Sequence, residues 1–152
     1  VTRADLLRLL LDDLDTCHDP NPDRSHVSTL MHCRQTATRA LRDGAGSEWA
    51  AVGLLHDVAH KLAPATHADT AAAMLGDRLS HDARRVLATH SAFQHDQIHG
   101  THGIDIYNPC GWHTAAIRFA EWDRLSFDPL YPTLPLDDLW PHVLNLLGKD
   151  HA

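Results

Sequence analysis

Lysine is almost missing from this chain: Lys61 and Lys149 are its only two in 152 residues. Acidic side chains outnumber Lys and Arg by 20 to 13, which leaves a formal charge of −7 with neutral histidines. Nucleic acids and anionic membranes attract basic surfaces, so neither is expected as a main partner. Cysteine is scarce too. Cys17, Cys33 and Cys110 form no C-x-x-C pair. They are too few for a disulfide framework and wrongly spaced for a zinc ribbon, so reduced thiols are expected. No apolar run approaches the roughly 18 residues of a membrane-spanning helix. The first residues lack the basic-then-apolar layout of a secretory signal, which makes the cytoplasm the expected compartment. Strand-like alternation, internal repeats and low-complexity segments are also lacking.

What the chain does have is histidine, 14 of them, scattered rather than run together. Imidazole is the commonest protein metal ligand and titrates near neutral pH. The length and a hydrophobic content of 43% suit a single domain, 1–152, with one sizeable core.

The apolar spacing is helical throughout. Leu6, Leu7, Leu10, Leu11 and Leu14 mark a first helix over about 2–16, broken by Asp19-Pro20-Asn21-Pro22. A second helix is expected from about 23 or 25 to 42, stopped by Gly44 and Gly46. Ser47 is the expected N-cap of a third, strongly apolar helix ending in His56-Asp57. Thr66-x-x-Asp69 resembles a capping box for a short alanine-rich helix. Ser80 is expected to cap another that runs through His90. Residues 92–111 are expected to be irregular. Helices over about 112–124 and near the C-terminus complete an all-α bundle of six or seven helices. Trp140 is expected to be exposed, on a last leucine-rich helix that could pack on a partner.

His56-Asp57 sets an imidazole beside a carboxylate at the end of a buried helix. Charged groups are rarely buried unless paired or metal-bound. A carboxylate has two oxygens and can bridge two metals. His32 precedes the pair, and His67, His90 and Asp123 follow, each near a helix end. His81 is the rival to His67. Cys33, next to His32 on a helix, points elsewhere and reads as a buried thiol.

This order of ligands resembles the HD-domain superfamily, helical metal enzymes named for the dipeptide, over about residues 25–125. Residues 126–152 add a loop and a helix. Leu54-Leu55-His56-Asp57-Val58-Ala59-His60 and His32-x-x-Gln35-x-Ala37 are similar to the family's local patterns. The resemblance implies that His32, His56, Asp57 and Asp123 hold one metal, that His67 and His90 hold a second, and that Asp57 bridges. It is closest to the mixed-valent di-iron oxygenases that cleave phosphonates or oxidise inositol. It implies two Fe ions, in mixed Fe(II)/Fe(III) valence, and a small polar substrate oxidised with O2. The alternative branch is a phosphohydrolase acting on a phosphate ester or nucleotide with Mn, Ni or Mg. A non-catalytic metal- or ligand-binding module is the third reading. His60 takes the position that faces substrate in the oxygenases. Lys61, Gln94, His95 and Arg118 are the candidate substrate contacts, with Arg124 and the loop histidines His99 and His102 as further options. Gln94 replaces the lysine found there in the phosphonate-cleaving members. The interval from His90 to Asp123 is also shorter than theirs.

Overall fold

The computed structural model describes residues 1–99 and 112–148, without the side chains of 93–99. The described residues form seven α-helices: α1 (Arg3–Asp13), α2 (Thr29–Arg42), α3 (Ser47–Leu55), α4 (His67–Leu75), α5 (His81–His99), α6 (Trp112–Leu125) and α7 (Leu136–Leu147). Short 3-10 turns occupy Leu14–Thr16, Pro22–Arg24, Pro64–Thr66 and Gly76–Arg78. Among the described residues the only β pairing is an isolated antiparallel bridge between His18 and Ser28. No described helix is long and apolar enough to cross a membrane. The expected all-α bundle is what the chain forms.

The core follows the leucine spacing. Leu7, Leu11 and Leu14 of the first helical stretch are buried in one core with Leu54 and Leu55 of α3, Leu75, Leu87, Phe119 and, from α7, Leu139, Val143 and Leu147. Helix α2 packs chiefly on α3, α4 on α5, α5 on α6, and α3 on α7. Trp140 is not exposed: it is half-buried against the core, with the Arg8 guanidinium 5.2 Å from its ring centre.

Several helix ends differ from the expected ones, each for a local reason. Helix α1 opens with a capping box between Thr2 and Asp5, a signal the leucine pattern does not carry. Helix α2 starts only at Thr29, because Ser28 caps it by accepting from the Met31 N–H at 3.0 Å. Gly46, at φ +97°, is the N-cap of α3, a conformation that favours glycine. Ser47 is therefore already helical, and its hydroxyl bonds His142 Nδ1 of α7 at 2.8 Å. Thr66 makes no side-chain cap. Helix α5 continues to His99, so the segment expected to be irregular from 92 is helical in its first part.

Gly53 sets the depth of the α2–α3 contact. A Cβ there would lie 3.0 Å from the Cα and N of Ala37. The small pair lets the backbones touch between His32 on one helix and His56 just beyond the other. Replacing Gly53 by Ala normally favours a helix by up to about 1 kcal/mol. Overpacking against backbone costs about 1–3 kcal/mol and dominates here. Urea denaturation of G53A is therefore expected to show a lower midpoint; an unchanged or higher midpoint would contradict the close approach.

Candidate metal centre

Six side chains converge where α2, the end of α3, the start of α4, α5 and α6 meet. His32 comes from α2, His56 and Asp57 from the residues after α3, His67 from the first position of α4, His90 from α5 and Asp123 from α6. His32, His56, His90 and Asp123 are buried. The side chains of Asp57 and His67 keep 17% and 16% exposure, so the open edge of the cluster lies on their side.

Each imidazole is fixed through its outer nitrogen. Nδ1 of His32 lies 2.9 Å from the Ser126 carbonyl, that of His56 2.7 Å from Gly53, that of His67 3.0 Å from Pro64 and that of His90 2.7 Å from Leu87. A carbonyl only accepts, so each Nδ1 carries a proton and donates it. All four Nε2 atoms then face inward, 3.1 Å apart for His32 and His56 and 3.2 Å apart for His67 and His90. Neutral rings would oppose bare lone pairs at these distances. The arrangement demands a cation between them, either a proton or a metal. Orienting ligand histidines by an outer-nitrogen hydrogen bond is the usual support of a metal site.

The carboxylates divide between the two pairs. Asp57 Oδ2 lies 3.2 Å from His56 Nε2 and 3.5 Å from His32 Nε2, while its Oδ1 lies 3.3 Å from His67 Nε2 and 3.5 Å from His90 Nε2. Asp123 Oδ1 serves only the first pair, at 2.9 Å from His32 and 3.4 Å from His56. Two ligands of one ion at about 2.1 Å and at tetrahedral or octahedral angles sit roughly 3.0–3.4 Å apart. The observed separations cluster around that span. His32, His56 and Asp57 form one group able to hold a metal ion, and Asp57, His67 and His90 form another.

The carboxylates and imidazoles of the cluster stabilise one another's charge. Burial raises the Asp57 carboxyl, but the His56 charge and the bonds from His56, His67 and His90 outweigh it and hold Asp57 well below the usual range. Asp123 is lowered in the same way by His56 and His32, against its burial. Burial would depress His56, yet the Asp57 and Asp123 charges hold it well above the ordinary imidazole value. His67 is raised, chiefly by its bond to Asp57. Cys33 is fully buried and its thiol is pushed up to about 12 by burial, so it stays a neutral core group as expected.

The cluster opens into a cavity of about 170 Å³, lined by His32, Asp57, His60, His67, His90 and Asp123 together with Asp19, Pro20, Arg24, Thr29, Ser91 and Phe127. His60 is thus at the cavity, its ring 5.1 Å from that of His67. His81 is exposed and faces Asp82, away from the cluster. Lys61 is exposed and absent from the lining. Arg118 donates to the Asp43 carbonyl at 2.7 Å and lies over Trp122, so it does not reach the cavity. Arg124 pairs with Glu121 on the surface. The side chains of Gln94, His95 and His99, and all of His102, lie outside the described residues. Arg24 and Phe127 were not legible as cavity residues, because what brings them there is loop folding: the 17–28 loop closes through the His18–Ser28 bridge.

No protein-family model matches the chain, and no curated protein matches it.

Raised His56 and His67 hold protons to higher pH than free histidine, so protons compete with metal across the neutral range. Metal affinity is expected to rise with pH, and binding at pH 7 to release protons. Calorimetry of the metal-free protein with Zn²⁺ in buffers of different ionisation enthalpy reads this directly; a buffer-independent heat would contradict it. If each group holds an ion, elemental analysis is expected to show D57A losing the metal of both groups and H67A mainly that of the outer one. Full metal retention in D57A would sink the shared-ligand arrangement.

Proposed function

We propose that the chain is a di-iron oxygenase of the HD-domain type, acting on a small polar substrate with O2. The observation that carries this reading is the division of Asp57, one oxygen toward each histidine pair. It supports a bridged pair of metals rather than one ion. The outer group, His67, His90 and Asp57, is a two-histidine, one-carboxylate set, the ligand type of non-haem iron sites that leave positions open to oxygen and substrate. A purely soft-metal site would need thiolates, and the nearby Cys33 is inert. Bound there, iron would supply the redox chemistry that no protein side chain offers.

The residues themselves do three things in this reading. The four carbonyl-anchored imidazoles hold the donors in place before metal arrives. The open edge at Asp57 and His67 borders the cavity, so a substrate there could reach a metal held by the cluster. His60, on the cavity wall, would hold or pass a proton to a substrate hydroxyl. The cavity is smaller than the roughly 300–1,000 Å³ of pockets for drug-sized ligands, which favours a small substrate.

Freshly purified protein is expected to contain about two irons per chain and, after partial reduction, to give the half-integer-spin paramagnetic resonance signal of a coupled Fe(II)/Fe(III) pair. Mononuclear iron only, or robust hydrolysis of a phosphate ester with Mn²⁺ in the absence of oxygen, would overturn the oxygenase reading. The second result would support the phosphohydrolase.

A further inference from the structure

The cavity wall carries one Lys or Arg side chain among its lining residues, Arg24. In this lysine-poor chain the other arginines near α2 are committed to backbone oxygens. Arg34 donates to Leu134, Arg39 to Leu125 and Arg42 to Pro132. Among the described residues Arg24 makes no side-chain hydrogen bond. Its nearest charged partner is Asp19, with Nε 3.9 Å from Oδ1. That is an ion pair too long to occupy the guanidinium donors.

Arg24 is nevertheless placed. It belongs to the 3-10 turn Pro22–Arg24, whose start is fixed by the Asn21 side chain accepting from the Asp23 N–H. Asp19 Oδ1 accepts from the Asn21 N–H at 2.8 Å, so the whole 19–24 loop is braced. The guanidinium lies 5.7 Å from the Phe127 ring centre. Phe127 in turn stacks on the ligand His32 at 4.1 Å and 14°. The cation therefore stands one aromatic ring away from a metal ligand, on the cavity wall, with its side chain about one-third exposed.

We infer that Arg24 is a specificity-determining residue that grips an anionic head group, a tetrahedral oxyanion or a carboxylate, on a substrate whose other end carries the oxygen atoms that meet the metals. The inference rests on the centre being a loaded metal site, and not on the metal being iron. The planar guanidinium offers paired donors that match such anions. Asp19 keeps it oriented without saturating it, and Phe127 provides an apolar floor between head group and metals. The protein's negative charge adds a reason for a dedicated cation: without one, an anion would be repelled at the mouth.

The test uses the full, iron-loaded chain under anaerobic conditions and two probes, glycerol phosphate and glycerol, titrated by calorimetry. The wild type is expected to prefer glycerol phosphate. R24Q is expected to weaken glycerol phosphate binding roughly ten- to hundred-fold, the range for charge-assisted hydrogen bonds, while glycerol binding and iron content stay unchanged. R24K should recover part of the loss. Glycerol phosphate affinity in R24Q within about twofold of wild type would overturn the assignment. So would loss of iron or helicity in both variants, which would mark Arg24 as structural. Release of inorganic phosphate during the titration would count against the oxygenase reading alone; the affinity ratio would still judge Arg24.

Discussion

Four hydrogen bonds from imidazole Nδ1–H to backbone carbonyls constrain everything else at the centre of this protein. Gly53 lies in the last turn of α3, Ser126 just past α6, Pro64 at the start of a 3-10 turn and Leu87 inside α5, where a carbonyl oxygen still has a second lone pair to offer. His56 uses Gly53, His67 uses Pro64 and His90 uses Leu87, each three residues back along the chain; His32 uses Ser126, across the fold. Once these bonds are made, the inner nitrogens have no freedom. They face one another and two carboxylates in a buried space, which is unfavourable for neutral rings and favourable around a cation. The helices α2, α3, α4, α5 and α6 are arranged so that this demand is met at one point.

The surrounding packing serves that point. Gly53 against Ala37 draws α2 and α3 together, and buried Gln35 exchanges two hydrogen bonds with the Asp128 backbone, at 2.6 and 3.2 Å. Leu134 N–H donates to Thr38, which stitches the proline-rich loop along α2. That loop carries Ser126 and Phe127 over His32. The loop is thus the outer wall of the centre as well as a linker to α7.

The helical class and the six-residue cluster were legible because both leave periodic or compositional marks. Leucine spacing marked the helices, and the cluster was marked by the His56-Asp57 dipeptide together with an order of histidines and aspartates that resembles the HD-domain superfamily. The structure sets His67 beside Asp57 and His90, whereas His81 faces solvent. Helix starts at Ser28 and Gly46 were harder to read, because capping geometry depends on backbone angles that neighbouring serines disguise. Arg24 could not be found by pattern. Arg118, one of several anion contacts offered by the sequence, donates to the Asp43 carbonyl, a contact that exists only after α6 packs on α2. Long-range loop closure has no local signature, and that is where the reading failed.

In the proposed centre Asp57 joins two metal ions, held by His32, His56 and Asp123 on one side and by His67 and His90 on the other. X-ray absorption at the iron edge of the purified, iron-loaded protein tests it most directly. The expected spectrum shows a mixed nitrogen and oxygen shell with a metal–metal vector at about 3.5–4 Å, as in other two-metal sites. A spectrum fitted by isolated ions, with no metal–metal scattering at full loading, would contradict it.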